Sequence, residues 1–415
     1  MQRRVFVKQG ALALVTMGLS PTFLRRTVLG MNLPNVAKGK ILVVLFQRGA
    51  ADALNLVVPH GEAEYYKIRP RIAIPRPKSG ARDAAIDLDG FFGFHPSLAP
   101  FEALYKRGIL APVHAVGSPS STRSHFDAQD YMESGTPDVK GTSDGWLNRY
   151  LATCGTCEAH KSSPFRGVSF SQQTPRIMQG ETETVAMNSI DEFTVRATGT
   201  QVQRLEALYR TGTADLVHGA GQEMFDAVKM LKSANPQQYQ PKNGAEYPAR
   251  FQFAQRLKQI AQLIRADVGL EVAFADIGGW DTHANQGAVT GQLAGRLDEF
   301  APSIAAFVQD MGDRMEDIVL LSMTEFGRTA RENGNGGTDH GHAGAMFVVG
   351  GNVKGGKVHG RWPGLAAEQL NEGRDLALTT DFRTVFAEIV AKHMGATDTA
   401  HLFPGFKPAP ALGLL

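Results

Sequence analysis

The chain has 415 residues, 43% hydrophobic and 20% charged, enough apolar material for a large buried core. Its 43 basic and 41 acidic residues are interspersed and leave a formal charge of +2, without the basic stripe of a nucleic-acid binder, so nucleic acid is not an expected partner. The length admits one large domain or two, and one domain with insertions is the expectation.

The N-terminus reads Arg3-Arg4-Val5-Phe6-Val7-Lys8, followed by an apolar run over 11–19 and a break at Pro21. A twin arginine ahead of a short, weakly hydrophobic segment is a bacterial export signal, and the segment is too short to span a bilayer as an ordinary helix. Gly10, Gly18 and Pro21 oppose the alternative of a basic cytosolic helix. Residues 1–37 are therefore assigned to a twin-arginine signal and linker, and the protein to the periplasm or another extracytoplasmic site. No convincing small-x-small cleavage site precedes Lys38, and the expectation is a signal that is removed imprecisely or stays as a membrane anchor.

Residues 40–46 form a continuous apolar run of strand length, as in a central parallel strand, and end in a small-residue loop that presents Asp52. Residues 59–96 are rich in Pro, Gly and Arg and read as an excursion carrying Tyr65, Tyr66, Arg69 and Arg71. A helix over 98–107 and a second core strand over 110–116 lead into the hydroxyl-rich loop 117–125, with a helix from about 126 to 132. Cys154 and Cys157, the two cysteines of the chain, are spaced as C-x-x-C; a loop disulfide, a redox pair and a metal clip are the three readings. Short strands and turns over 165–200 suggest a second insertion, about 155–200, and apolar spacing predicts helices over 206–232 and 249–267. A strand over 272–275 runs into Gly278-Gly279-Trp280-Asp281-Thr282-His283, and a long amphipathic helix over 293–311 precedes the strand at 318–322. Strands alternating with helices over this length indicate an α/β fold with a doubly wound, mostly parallel sheet flanked by helices.

Four strand ends thus carry polar clusters: Asp52; Ser121 to His125; Asp281 with His283; and Glu325 with Asp339 and His340. Open α/β sheets place ligands at such ends. Carboxylates and imidazoles together are a ligand set for Zn²⁺ or Mn²⁺, and a hydroxyl beside them is a candidate metal-activated nucleophile.

The order of these clusters resembles the alkaline phosphatase superfamily. The resemblance implies an early acid ligand at Asp52, and a nucleophile at Ser121, four residues before His125, with Thr122 and Ser124 as alternatives. It also implies a metal pair at Asp281 and His283, completed by His340. One departure stands out: Thr324-Glu325-Phe326-Gly327-Arg328 occupies the place where relatives carry Asp-His-Gly. A glutamate can replace an aspartate, but a phenylalanine cannot bind a metal, so a single metal on Asp281, His283 and His340 is expected. Glu325 and Asp339 are then further ligands or orienters of the imidazoles, and Arg328 is an anion clamp or a structural ion pair. No Cys-x-Pro-x-Arg sequence is present to mature into a sulfatase's formylglycine.

The whole-chain pattern is closer to one family. Phe46-Gln47-Arg48-Gly49, Tyr65-Tyr66, Ser124-His125-Phe126, Asp144-Gly145-Trp146-Leu147, Asp281-Thr282-His283, the 324–328 and 338–344 segments and Thr380-Asp381-Phe382 resemble the exported bacterial proteins of domain of unknown function 1501. That resemblance implies an alkaline phosphatase-like fold and no substrate. The functional expectation is an exported, metal-dependent hydrolase acting on a phosphate or sulfate ester, with an anionic small molecule or glycan ester as partner. The alternative is a non-catalytic periplasmic or surface protein that uses the fold to bind a glycan, an anion or a protein.

Overall fold

The computed structural model describes residues 39–153, 163–191 and 239–415. The twin-arginine segment, both cysteines and the helix expected over 206–232 lie outside the described residues. In chain order the first elements are β1 (Ile41–Gln47), α1 (Ala53–Leu56), β2 (Val57–Val58), α2 (Ala63–Ile68), β3 (Ile86–Asp87), β4 (Gly93–Phe94), α3 (Ala99–Lys106), β5 (Leu110–Gly117), α4 (His125–Ser134) and α5 (Trp146–Thr153). Next come β6 (Gly167–Phe170), β7 (Val185–Met187), α6 (Gln252–Arg265), β8 (Val272–Ile277) and α7 (Gln292–Met311). The last are β9 (Ile318–Met323), β10 (Gly344–Gly350), β11 (Thr380–Asp381), α8 (Phe382–Lys392) and α9 (Thr399–Leu402). Among the described residues no helix is long and apolar enough to cross a membrane.

The chain divides into two compact units, the larger made of residues 40–142, 242–257 and 275–415. Its sheet runs in the order β11-β5-β10-β9-β1-β8. β1 and β9 are parallel and pair from Ile41↔Ile318 to Phe46↔Met323, and all seven residues of β1 are buried, as their continuous apolar run requires. β10 is antiparallel to both β9 and β5, so the sheet is mixed. This direction matters for the site. The segment between β9 and β10 leaves the sheet and re-enters it at the same edge, beside the carboxyl ends of β1 and β9.

The sheet is covered by α3 and α7. Phe94, Phe101, Phe300 and Phe347 meet edge to face or tilted, with Phe101 5.9 Å from Phe300 and 5.3 Å from Phe347, and Trp280 lies 5.8 Å from Phe300. All five rings are fully buried. The excursion at 59–96 contributes α2 and the small antiparallel sheet β2-β4-β3. Ser124 caps α4 through its side chain, and Gly135 ends that helix in the left-handed conformation, φ 70°.

The smaller unit, in its described part, holds α5, β6, β7 and the start of β8. The stretch read as an insertion of short strands supplies the parallel pair β6 and β7, in register from Val168↔Val185. Next to it the Arg166 carbonyl accepts the amides of Glu271 and Val272, and the Arg166 side chain pairs with Glu271 at 2.7 Å.

Candidate metal centre

The loops leaving β1, β9 and β8 touch one another. The Thr324 hydroxyl donates to the Gln47 carbonyl at 2.8 Å, the Ala51 amide donates to the Thr324 hydroxyl at 3.0 Å, and the Arg48 amide donates to the Ile277 carbonyl at 2.9 Å. Gly49, at φ 119°, makes this approach feasible: a Cβ there would stand 2.7 Å from the Asp281 amide nitrogen. Asp281 and the carboxylate of Glu325 are thereby brought close to the start of α4.

Three imidazoles and one carboxylate converge here. The Asp281 Oδ1 lies 3.0 Å from His283 Nε2 and 3.3 Å from His340 Nε2, and its Oδ2 lies 3.4 Å from His125 Nε2. Ligand atoms of His125, Asp281 and His340 all fall within 4.8 Å of one another. His283 Nε2 is 2.9 Å from His340 Nε2.

The far nitrogen of each ring has a fixed partner. His340 Nδ1 sits 2.8 Å from the Arg123 carbonyl, which can only accept, so Nδ1 carries the proton. His283 Nδ1 meets the Asp339 carboxylate at 2.8 Å, and His125 Nδ1 meets Glu325 Oε1 at 2.8 Å. Both carboxyls are held below their usual range. Burial alone would raise each, but hydrogen bonds from His125, Gln129 and backbone amides outweigh it at Glu325, and those from His283 and Asn333 do so at Asp339. With Nδ1 protonated on every ring, a neutral imidazole turns an Nε2 lone pair toward the Asp281 carboxylate.

That arrangement fits a cation. Lone pairs on His283 and His340 opposed at 2.9 Å, beside a carboxylate, repel unless a proton or a metal ion lies among them. His125 Nε2 is buried and makes no hydrogen bond. Desolvation holds the His340 pKa down, which keeps its nitrogen free, whereas the hydrogen bond to Glu325 raises that of His125. Asp281 is also held low: burial would raise it, but the Arg328 guanidinium and the His283 and His125 rings prevail. A mixed nitrogen and oxygen donor set suits Zn²⁺ and admits Mn²⁺.

Several residues expected at the site do other work. Asp52 stands apart from the imidazoles, with its two oxygens in the fork of Arg69, at 2.6 and 3.0 Å, and a further bond from Gln286 at 2.6 Å. Glu325 is completely buried, its Oε1 taken by the Gly49 amide, His125 and Gln129 and its Oε2 3.1 Å from the Thr324 hydroxyl, so it orients His125 and is not itself open to a metal. Asp339 likewise serves His283, and Asn333 ties that carboxylate to the His283 carbonyl. Arg328 is no free anion clamp: its buried guanidinium bonds Asp281 at 2.6 Å and the hydroxyl and carbonyl of Thr338. Ser121 is exposed in the loop before α4, and its hydroxyl makes no hydrogen bond among the described residues. The hydroxyls of Thr122 and Ser124 instead accept backbone amides.

His125 is the member that sequence reading did not place among the ligands. The available signal was its position at the first turn of α4 with Gln129 one turn on, since residues four apart share a helix face; both reach Glu325. Phe326, which stands where the superfamily pattern carries a histidine, stacks on His125 at 5.0 Å and lies 5.1 Å from His340, so it walls the rings in place.

Comparison with solved structures gives distant likenesses. The lipoteichoic acid synthase LtaP from Listeria monocytogenes is 10% identical, with 82% of this chain and 71% of that one covered and a TM-score of 0.33. Alkaline phosphatase from the Antarctic bacterium TAB5 is 9% identical, with 75% and 92% covered and a TM-score of 0.29. That of Thermus thermophilus is 11% identical, with 73% and 63% covered and a TM-score of 0.29. No curated protein matches the sequence. Residues 39–405 match the family model described as protein of unknown function DUF1501, and the chain belongs to that family.

Proposed function

We propose that the protein is an exported, metal-dependent hydrolase of phosphate or sulfate esters. The observation that carries the metal is the common orientation of the three imidazoles, each pinned at Nδ1 and turned at Nε2 toward Asp281. His125, Asp281 and His340 would hold the ion, with His283 beside them. A bound Zn²⁺ or Mn²⁺ supplies Lewis-acid charge and lowers the pKa of an oxygen nucleophile.

The chain's own residues supply the rest. Glu325, Asp339 and the Arg123 carbonyl keep the rings in the ligating tautomer, as partners of metal-bound histidines do. Ser121, with its uncommitted hydroxyl, is the nucleophile, and Arg328 neutralises part of the Asp281 charge. The ester class rests on the motif order from Ser121 through Asp281 to His340. The paired arginines at 3–4 support export.

A second reading, a non-catalytic binding protein, draws support from Arg328. Its guanidinium is spent on Asp281 and Thr338 and is not available to grip a transferred anion. Elemental analysis of protein exported through its own signal separates the readings. Stoichiometric Zn or Mn, lost in His125→Ala and His340→Ala, is expected, along with metal-dependent turnover of an aryl phosphate or sulfate that disappears in Ser121→Ala. Bound metal without turnover selects the binding protein. A metal-free protein, with folded variants that do not take up added metal, overturns the hydrolase.

A further inference from the structure

Asp339 faces two ways: its carboxylate holds His283, and it also lines a cavity of about 300 Å³. The other walls come from α2, the segment 329–333 and the segment 365–374. This volume is at the lower end of the range for small-molecule sites, roughly 300–1,000 Å³.

Chemistry divides the lining into three parts. Ile68, Leu365 and Leu370 are apolar. Three carboxylates are already engaged: Glu64 with Lys67 at 2.9 Å, Glu332 with the Arg71 side chain and two backbone amides, and Asp339 with His283 and Asn333. The two guanidiniums on the wall are not so engaged. The Arg331 guanidinium makes no hydrogen bond or ion pair among the described residues, and that of Arg374 reaches only the Asp375 carboxylate, at 3.4 Å. Asp375 in turn has a shorter partner in Arg123, at 2.7 Å. What the cavity offers an incoming molecule is therefore a pair of guanidinium donors beside an apolar wall, a combination suited to an oxyanion carried on a small organic body.

We propose that this cavity binds a carboxylate, sulfate or phosphate group of the substrate, distinct from the ester presented to the imidazoles. The substrate is then at least dianionic. It carries one ester at the Asp281 cluster and a second anionic group held between Arg331 and Arg374. The identification of the ligand as substrate rests on the hydrolase reading above; the anion site itself does not.

The test uses the full chain in two preparations, metal-loaded and treated with EDTA. Sulfate and glucuronate are titrated by calorimetry, with glucose as the neutral control, into the wild type, Arg331→Ala and Arg331→Ala/Arg374→Ala. The Arg331 side chain is exposed and bonded to nothing among the described residues, so its single variant guards against misfolding from the change at Arg374. Expected are binding of at least one anion by both wild-type preparations, no binding of glucose, and a loss of roughly tenfold or more in the double variant, the size of one charge-assisted hydrogen bond. Metal content should not change. The proposal is overturned if neither anion binds the EDTA-treated wild type, if the double variant binds as tightly, or if glucose binds as well as glucuronate. A protein without metal that keeps this anion binding loses the hydrolase and retains the cavity; a metal-dependent esterase whose anion binding ignores both arginines does the reverse.

Discussion

Asp52 and Glu325 are both buried carboxylates at the ends of paired strands, and their partners give them different tasks. Asp52 is locked in a buried ion pair with Arg69, 0% exposed on one side and 1% on the other. Removing one member of such a pair leaves an uncompensated charge, so Arg69→Ala is expected to destabilise by roughly 3–5 kcal/mol, read from urea unfolding, with metal affinity in the surviving folded fraction unchanged. Glu325 is different because its hydrogen bond decides which nitrogen of His125 faces Asp281. Glu325→Gln is expected to weaken metal binding by about 10–100-fold, the usual penalty for losing a partner of a ligating histidine. If competition with a chelator shows equal affinity for Glu325→Gln and wild type, His125 is not a ligand. The sequence displayed Asp52 as a strand-end acid but not its partner, because Arg69 arrives from an excursion with no periodic pattern.

Strands were the most legible elements, since β1 and β9 are almost wholly apolar runs bounded by polar loops and β5 departs from one only at His114. Direction was not legible: an apolar run looks the same pointing either way, and the antiparallel course of β10 emerges only from its pairing. Nor could spacing reveal that His125 meets Glu325, 200 positions later. β5 carries its own prediction. His114 is fully enclosed, with Nε2 bonded to the Val57 carbonyl at 3.0 Å and Nδ1 accepting the Ala115 amide at 2.9 Å. Burial pushes its pKa down from 6.5 to about 4. The unfolded chain therefore binds a proton that the folded one refuses in this window, and stability, intact above pH 6.5, falls as the pH drops toward 4, by about 3 kcal/mol at most. His114→Gln should show a shallower decline in unfolding midpoint over the same range; an identical decline would remove His114 as the cause. His393 and His95, also held low by burial, add to the same slope.

For the molecule as a whole, family membership was legible because several separate motifs, from 46–49 to 380–382, agree with one pattern, and the family match covers 39–405. Metal binding should register as global stability. An ion at about 100 times its dissociation constant stabilises the folded state by roughly 2.7 kcal/mol, so added Zn²⁺ or Mn²⁺ should raise the thermal midpoint by several degrees in the wild type and not in His340→Ala. Equal shifts in both would mean that the ion acts elsewhere.

The pinning of His340 by the Arg123 carbonyl and of Glu325 by the Gly49 amide spans 217 and 276 positions of chain. Contacts this distant close late, because the loops they bridge must first be ordered. During synthesis the first residue of the cluster, His125, leaves the ribosome long before the last, His340, and no shorter fragment contains a full set of donors. An ion held by His125, Asp281 and His340 would therefore be captured only by a chain made past residue 340, so that its uptake would report that the long-range closures of the fold are complete.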